Sequence, residues 1–119
     1  MRNRPKYHLI KNTSYALAGL RDMLQNESSF KIEIIAALFL IPIIVIVETS
    51  LLYKLFLFTT LMGVLIAETI NSSIERVVDL VTLEHHDMAK RAKDVGSTIV
   101  FLSIILFLIV WGSIFSTLL

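Results

Sequence analysis

"LLYKLFLFTTLMGVLIAETINSSIERVVD", Leu51 to Asp79, begins as a segment suited to lipid and ends as one suited to water. As far as Ala67 it is apolar except for Lys54 near its start, and from Glu68 onward it carries Glu68, Asn71, Ser72, Ser73, Glu75 and Asp79. A charged side chain in hydrocarbon is costly and therefore rare, unless it faces an interior, a cavity or a ligand. At about 100° per residue, Glu68, Asn71, Ser72, Glu75 and Asp79 fall within an arc of about 100° on one helix. The stretch predicts a membrane helix that continues into the cytoplasm with a single polar stripe, running from within the membrane to its edge.

Two further apolar segments flank it. Phe30 to Ser50 is interrupted only by Lys31, Glu33 and Glu48 near its ends, with Pro42 inside, and Val95 to Leu119 contains no charge. A spanning helix needs roughly 20 residues, and Pro42 is tolerable inside one because neighbours can satisfy the freed carbonyl. Tyr7 to Gln25 differs in kind. Leu9, Ile10, Ala16, Leu17, Leu20 and Leu24 fall broadly on one side, as in an amphipathic helix lying on a bilayer surface. The expected architecture is all-α, a single domain over 1–119, with a surface helix over 7–25 and membrane helices over 30–50, 51–79 and 95–118.

Composition agrees with this. The chain of 119 residues is 55% hydrophobic with mean hydropathy +0.76, too apolar for a water-soluble domain of that size. Eleven Lys and Arg against ten Asp and Glu give a net charge of +1, so no global argument for nucleic acid exists. Cysteine is absent, which excludes thiolate catalysis and Cys-based zinc sites. Arg2, Arg4, Lys6, Lys11 and Arg21 precede the first span, and Lys90, Arg91 and Lys93 lie between the second and third. By the positive-inside rule the N-terminus and the Leu80–Asp94 loop are cytoplasmic and the C-terminus is on the opposite side. Tyr53 and Trp111 read most simply as an outer aromatic belt.

The acidic stripe suits a hard cation such as Mg²⁺, which takes one or two protein carboxylates and fills its other positions with water and phosphate oxygens. The competing reading is a polar seam between helices, which fits Asn71 and Ser72 but does not require the carboxylates of Glu68 and Glu75. Glu27 either solvates the junction before the first span or converges with Glu75 as a second metal ligand. In "LEHHDMAKRAKDVGS", Leu83 to Ser97, the acids and His85 and His86 do not have zinc-motif spacing. Lys90, Arg91 and Lys93 anchor anionic headgroups, or Lys93, beside Asp94, neutralises a phosphate. With four glycines in the chain there is no Walker A loop and no kinase Gly-rich loop. Spacing alone leaves an ion-coupled transporter, a small channel or an enzyme on lipid headgroups.

The string E-T-I-N-S-S-I-E-R-V-V-D, Glu68 to Asp79, followed by A-K-D-V-G-S, Ala92 to Ser97, closely resembles the bacterial integral-membrane diacylglycerol kinase family, whose pattern reads E-x-x-N-S-A-I-E-x-x-V-D and then A-K-D-x-G-S. The resemblance extends over nearly the whole chain and includes "GLRDMLQNESSF", Gly19 to Phe30. It implies ATP-dependent phosphorylation of diacylglycerol to phosphatidic acid by a homotrimer with sites shared between subunits, in the bacterial inner membrane. By the same resemblance Glu68 is the general base on the lipid hydroxyl, Glu27 and Glu75 are Mg²⁺ ligands, and Asn71 supports the site. Tyr15, Glu84, His86, Lys93 and Asp94 resemble nucleotide contacts, Arg21 and Ser97 lipid-side contacts, and Asp79 an organising acid. His8, His85 and Ser73 depart from the family pattern without touching the base or the metal ligands. A polyprenol kinase of the same family, with undecaprenol as acceptor, is the nearest rival.

Overall fold

The computed structural model describes residues 6–119. Four helices follow one another: α1 (Leu9–Asn26), α2 (Ser28–Ile46), α3 (Leu51–Val81) and α4 (Asp87–Leu118). There is no strand among the described residues. Of the basic residues on which the expected orientation rests, Arg2 and Arg4 lie outside the described residues.

The junctions explain the path of the chain. Glu27 alone separates α1 from α2, with an extended backbone at φ −112° and ψ 108°. One residue is enough to break the run of i→i−4 hydrogen bonds and turn a surface helix into a spanning one. α2 runs through Pro42 without a break. Its end is tied to the next helix by Lys54, whose Nζ donates to the Val45 carbonyl at 2.8 Å, and a lysine near the last turn of a helix satisfies one of its orphaned acceptors. Ser50 then caps α3 by accepting from the Tyr53 amide at 3.2 Å.

α3 has 31 residues and α4 has 32. At 1.5 Å per residue each is about 45–48 Å long, against a hydrocarbon core of about 30 Å, so both project well beyond the bilayer. α2, α3 and α4 are each long and apolar enough to cross a membrane, which makes this a multi-pass membrane protein. α4 packs chiefly on α3, α2 also rests on α3, and α1 touches α2. Residues such as Leu38, Phe39, Leu52, Phe101 and Leu108 are exposed, as expected where lipid rather than water is the solvent.

The core lies toward the end of the bundle carrying the α2–α3 loop, where Ala37 and Ile44 meet Leu57, Leu61, Trp111 and Ile114. Trp111 corrects the expectation of an aromatic belt residue. It is 9% exposed, stacks with Phe107 and Phe115, and its Nε1 donates to the Leu57 carbonyl at 3.1 Å. A buried indole keeps its N–H satisfied, and here the partner is a backbone group of the neighbouring helix. Tyr53 stays partly exposed, consistent with the belt reading. With the core at one end, the opposite ends of α3 and α4 are left to carry polar groups.

Candidate functional site

Along α3 the polar stripe grades from inside to outside. Glu68 (9% exposed) and Ser72 (4%) are buried, Asn71 and Glu75 are half-buried, and Asp79 is exposed. Helical spacing places the five on one face. Asn71 Nδ2 donates to Glu75 Oε1 at 3.2 Å, which turns that carboxylate back along the stripe. Asn71 Oδ1 is buried without a hydrogen-bond partner among the described residues and lies against Gly96 of α4. A Cβ built at Gly96 would stand 2.5 Å from it.

Further along, α4 supplies the cations. Lys93 Nζ stands 2.7 Å from Asp79 Oδ1, and Lys90 Nζ stands 2.7 Å from Asp94 Oδ2 one turn apart on the same helix. His86 caps α4, its Nδ1 accepting from the Met88 amide at 3.1 Å. A ring nitrogen that accepts is unprotonated, so neutral His86 carries its proton on Nε2 and has that edge left to donate. Glu84, His86, Lys93 and Asp94 share one open groove of about 400 Å³ with Thr82, His85 and Lys90. A second groove, of about 380 Å³, lies between α1 and α3 and is lined by Gly19, Leu20, Met23, Thr69, Ser72 and Arg76.

Glu27 reaches this end of the molecule from the α1–α2 junction. It occupies the N-cap position of α2 but makes no capping hydrogen bond there. Its Oε1 instead accepts from Arg76 Nη2 at 2.9 Å and Nε at 3.3 Å. Arg76 also forks onto Asp22, Nη1 to Oδ2 at 3.1 Å and Nη2 to Oδ1 at 3.2 Å. Hydrogen bonds from Asn26 and then from Arg76 hold the Asp22 carboxyl below the usual carboxylate range.

The geometry thus gathers Glu84, His86, Lys93 and Asp94 in one groove, pairs Lys93 with Asp79, and joins Asn71 to Glu75. It does not bring Tyr15, Arg21 or Ser97 into either groove, and all three are exposed. Sequence reasoning passed over Arg76 and Gly96. It noted Glu33 only as a flanking acid, yet Glu33 faces Glu68, with Oε2 buried and unpartnered among the described residues. Helical periodicity from Glu68 back through α3 could not show an acid arriving from α2.

The described residues thus form a bundle of three helices long and apolar enough to cross a membrane, with a buried acid, an acid–amide pair and a lysine-bearing groove at one end. Residues 14–115 match the family model described as prokaryotic diacylglycerol kinase. The chain is 36% identical over 107 residues to the diacylglycerol kinase of Haemophilus influenzae, covering 90% of this chain and 91% of that one. It is 37% identical over 103 residues to that of Escherichia coli K12 (87% and 84%), and 35% identical over 111 residues to that of Helicobacter pylori J99 (92% and 86%). The chain belongs to the prokaryotic diacylglycerol kinase family, a family of lipid kinases.

Proposed function

We propose that this protein transfers the terminal phosphoryl group of ATP to the hydroxyl of diacylglycerol at the cytoplasmic boundary of the bacterial inner membrane, forming phosphatidic acid and ADP. The observation that carries the reading is the stripe itself: buried Glu68 at one end, and Asp79 paired with Lys93 beside an open polar groove at the other. A lipid hydroxyl sits at the headgroup level while a nucleotide arrives from water, so a buried acid at membrane depth and a polar groove carrying Lys90 and Lys93 outside it suit the two substrates.

Glu68 is the general base. Its carboxylate takes the hydroxyl proton as the lipid oxygen bonds to the γ-phosphorus and the bond from that phosphorus to the β-bridging oxygen breaks. Phosphoryl transfer asks the protein chiefly to position reactants and neutralise charge. Lys93, with Glu84, His86 and Asp94 around it, orients the phosphates and the nucleoside. Lys93 is already paired with Asp79 at 2.7 Å, and Asp79 thereby holds the ammonium ready at the rim.

No three His, Asp or Glu side chains among the described residues come together closely enough to hold a metal by themselves. Mg²⁺ fits the donors present because it takes only one or two carboxylates and completes its octahedron with phosphate oxygens and water. Glu27 and Glu75 would hold it, each having one oxygen committed to a neighbour, Arg76 and Asn71 respectively. When bound, the ion neutralises charge on the β- and γ-phosphates.

Arg21 and Ser97 contact the lipid, and Tyr15 the nucleotide, in a homotrimer whose sites are shared between copies. Support comes from the exposure of all three residues and from their absence from the grooves of their own chain. The N-terminus is cytoplasmic and the C-terminus periplasmic, a reading supported by the Asp22–Arg76 pair, which sets basic α1 at the same end as Lys90, Arg91 and Lys93. The test is incubation of the purified protein in mixed micelles with labelled ATP, Mg²⁺ and either diacylglycerol or undecaprenol. Labelled phosphatidic acid is expected. Labelled polyprenyl phosphate alone, or no product with either lipid, overturns the reading.

A further inference from the structure

Arg76 is the one residue among those described that ties the surface helix and the α1–α2 junction to α3 by charge. Four of its five N–H donors are engaged: Nε and Nη2 to Glu27 Oε1, Nη1 and Nη2 to the two oxygens of Asp22. Asp22 is steadied in turn by Asn26, whose Nδ2 donates to Asp22 Oδ1 at 2.7 Å. The chain of contacts Asn26–Asp22–Arg76–Glu27 therefore ends on an acid assigned above to the metal.

Three features argue that this network has a purpose beyond stability. First, its side chains are substantially exposed, 44% for Arg76, 48% for Asp22 and 26% for Glu27, so each pair taken singly is screened by solvent. Second, Glu27 forgoes the capping bond open to an acid at its position and turns its carboxylate toward α3 instead. Third, both bonds from Arg76 fall on Oε1, and Oε2 has no hydrogen-bond partner among the described residues. One oxygen is fixed and the other is presented. Every guanidinium nitrogen already serves a carboxylate, so Arg76 is not placed to bind a phosphate.

We infer that Arg76 is a positioning residue for the metal site: anchored by Asp22, it fixes the Glu27 carboxylate through Oε1 so that Oε2 faces a divalent cation carried in with the nucleotide. The inference rests on the reading of Glu27 as a metal ligand. Carboxylate ligands are characteristically held by such outer hydrogen bonds, and removing the outer partner typically lowers metal affinity about 10–100-fold. Arginine suits the task because its planar fork engages two carboxylates in fixed geometry, whereas lysine offers a single point charge.

The experiment is direct metal binding to the full chain in detergent–lipid micelles. Mn²⁺, which accepts the same oxygen donors, is titrated in the presence of a non-hydrolysable ATP analogue, and free Mn²⁺ is read by electron paramagnetic resonance. Arg76→Ala is expected to raise the Mn²⁺ dissociation constant about 10-fold with helicity and metal-free nucleotide binding unchanged, and Arg76→Lys to recover part of the loss. Asp22→Asn, which leaves Arg76 in place but removes its anchoring charge, is expected to raise it several-fold and serves if Arg76→Ala fails to fold. Glu27→Gln is the reference. If Glu27→Gln weakens Mn²⁺ binding but neither Arg76→Ala nor Asp22→Asn does, the positioning role falls while ligation by Glu27 stands. If Glu27→Gln also leaves binding unchanged, the assignment of Glu27 falls and the inference with it. Tighter binding in Arg76→Ala would make Arg76 a competitor of the cation and equally overturn the proposal.

Discussion

Asn71 and Gly96 are matched across the α3–α4 interface, the amide of one occupying the space where the other lacks a side chain. Asn71 donates to Glu75 from that position, so the shape of α4 at residue 96 reaches the carboxylate through a single side chain.

Gly96→Ala should therefore be the damaging glycine substitution in this chain. The added Cβ would meet Asn71 Oδ1 at 2.5 Å, and Asn71 must swing away and release Glu75. We expect activity to fall at least about 10-fold with a raised Mg²⁺ requirement, since displaced outer partners of a ligand cost affinity on that scale. Gly63→Ala and Gly112→Ala, which meet nothing within 4 Å, should be neutral or stabilising by about 0.5–1 kcal/mol through helix propensity. Rate against Mg²⁺ concentration, with thermal unfolding in parallel, checks the contrast.

Lys93→Ala should separate activity from stability. The Lys93–Asp79 pair is 41% and 48% exposed, and with solvent screening such a pair contributes about 0–1 kcal/mol. The unfolding midpoint should move little. Turnover should fall by about two orders of magnitude or more if the ammonium neutralises phosphate charge in the transition state. A rate within threefold of the parent would remove Lys93 from that role.

Trp111 gives the opposite pattern. Trp111→Ala removes a buried aromatic and should cost about 3–5 kcal/mol. Trp111→Phe loses chiefly the hydrogen bond to Leu57 and should cost about 1 kcal/mol. Because Trp111 packs far along the bundle from the Glu68–Lys93 end, the rate per folded molecule should be preserved in Trp111→Phe. Denaturant unfolding in micelles beside a specific-activity assay measures both.

How much of this was legible beforehand depended on the range of each interaction. The spans, the surface helix and the stripe follow from hydropathy and a 3.6-residue period, both local properties, and they emerged from Leu51–Asp79 and its flanks. The Asn71–Glu75 pair is four residues apart and equally local. The Arg76 contacts join residues 49 and 54 positions apart, the Trp111–Leu57 bond also spans 54, and Glu33 meets Glu68 from another helix. No periodicity carries such pairings. Trp111 was misread because an aromatic near the end of a span has the same composition whether it turns to headgroups or into a helix interface. The roles proposed for Glu84, His86 and Asp94 entered by resemblance to a known family, since charged residues spread over the α3–α4 loop and the first turns of α4 look alike until the groove is formed.

The pH response of the α1–α3 contact follows from Asp22. Its carboxyl is held below the ordinary value by Asn26 first and Arg76 second. A depressed folded-state pKa means that the ionised form is favoured by folding, so its contribution is present above the ordinary value of about 3.9 and is lost as pH falls through the lower, folded value. The docking of α1 should hold through neutral and mildly acidic pH and weaken only below about 4. Amide hydrogen exchange in α1 should show that late loosening, and Asp22→Asn should abolish its dependence on Asp22 ionisation. Loosening already complete near pH 6 would assign the contact to other groups.

Glu68→Gln tests the chemistry itself. The substitution keeps the shape and hydrogen-bonding capacity of a side chain that is 9% exposed and faces Glu33, but the amide cannot accept the hydroxyl proton. Loss of a general base costs about 10²–10⁴ in rate, so turnover should fall by that factor. Nucleotide binding in the groove lined by Glu84, His86, Lys93 and Asp94, separated from Glu68 by about three to four turns of α3, should persist. The measurement pairs product formation with binding of a fluorescent ATP analogue to the same preparation. Loss of both would mean that Glu68 supports the fold or the nucleotide groove, and retention of both would move the base elsewhere, with Glu33, the acid that faces it, next to be replaced.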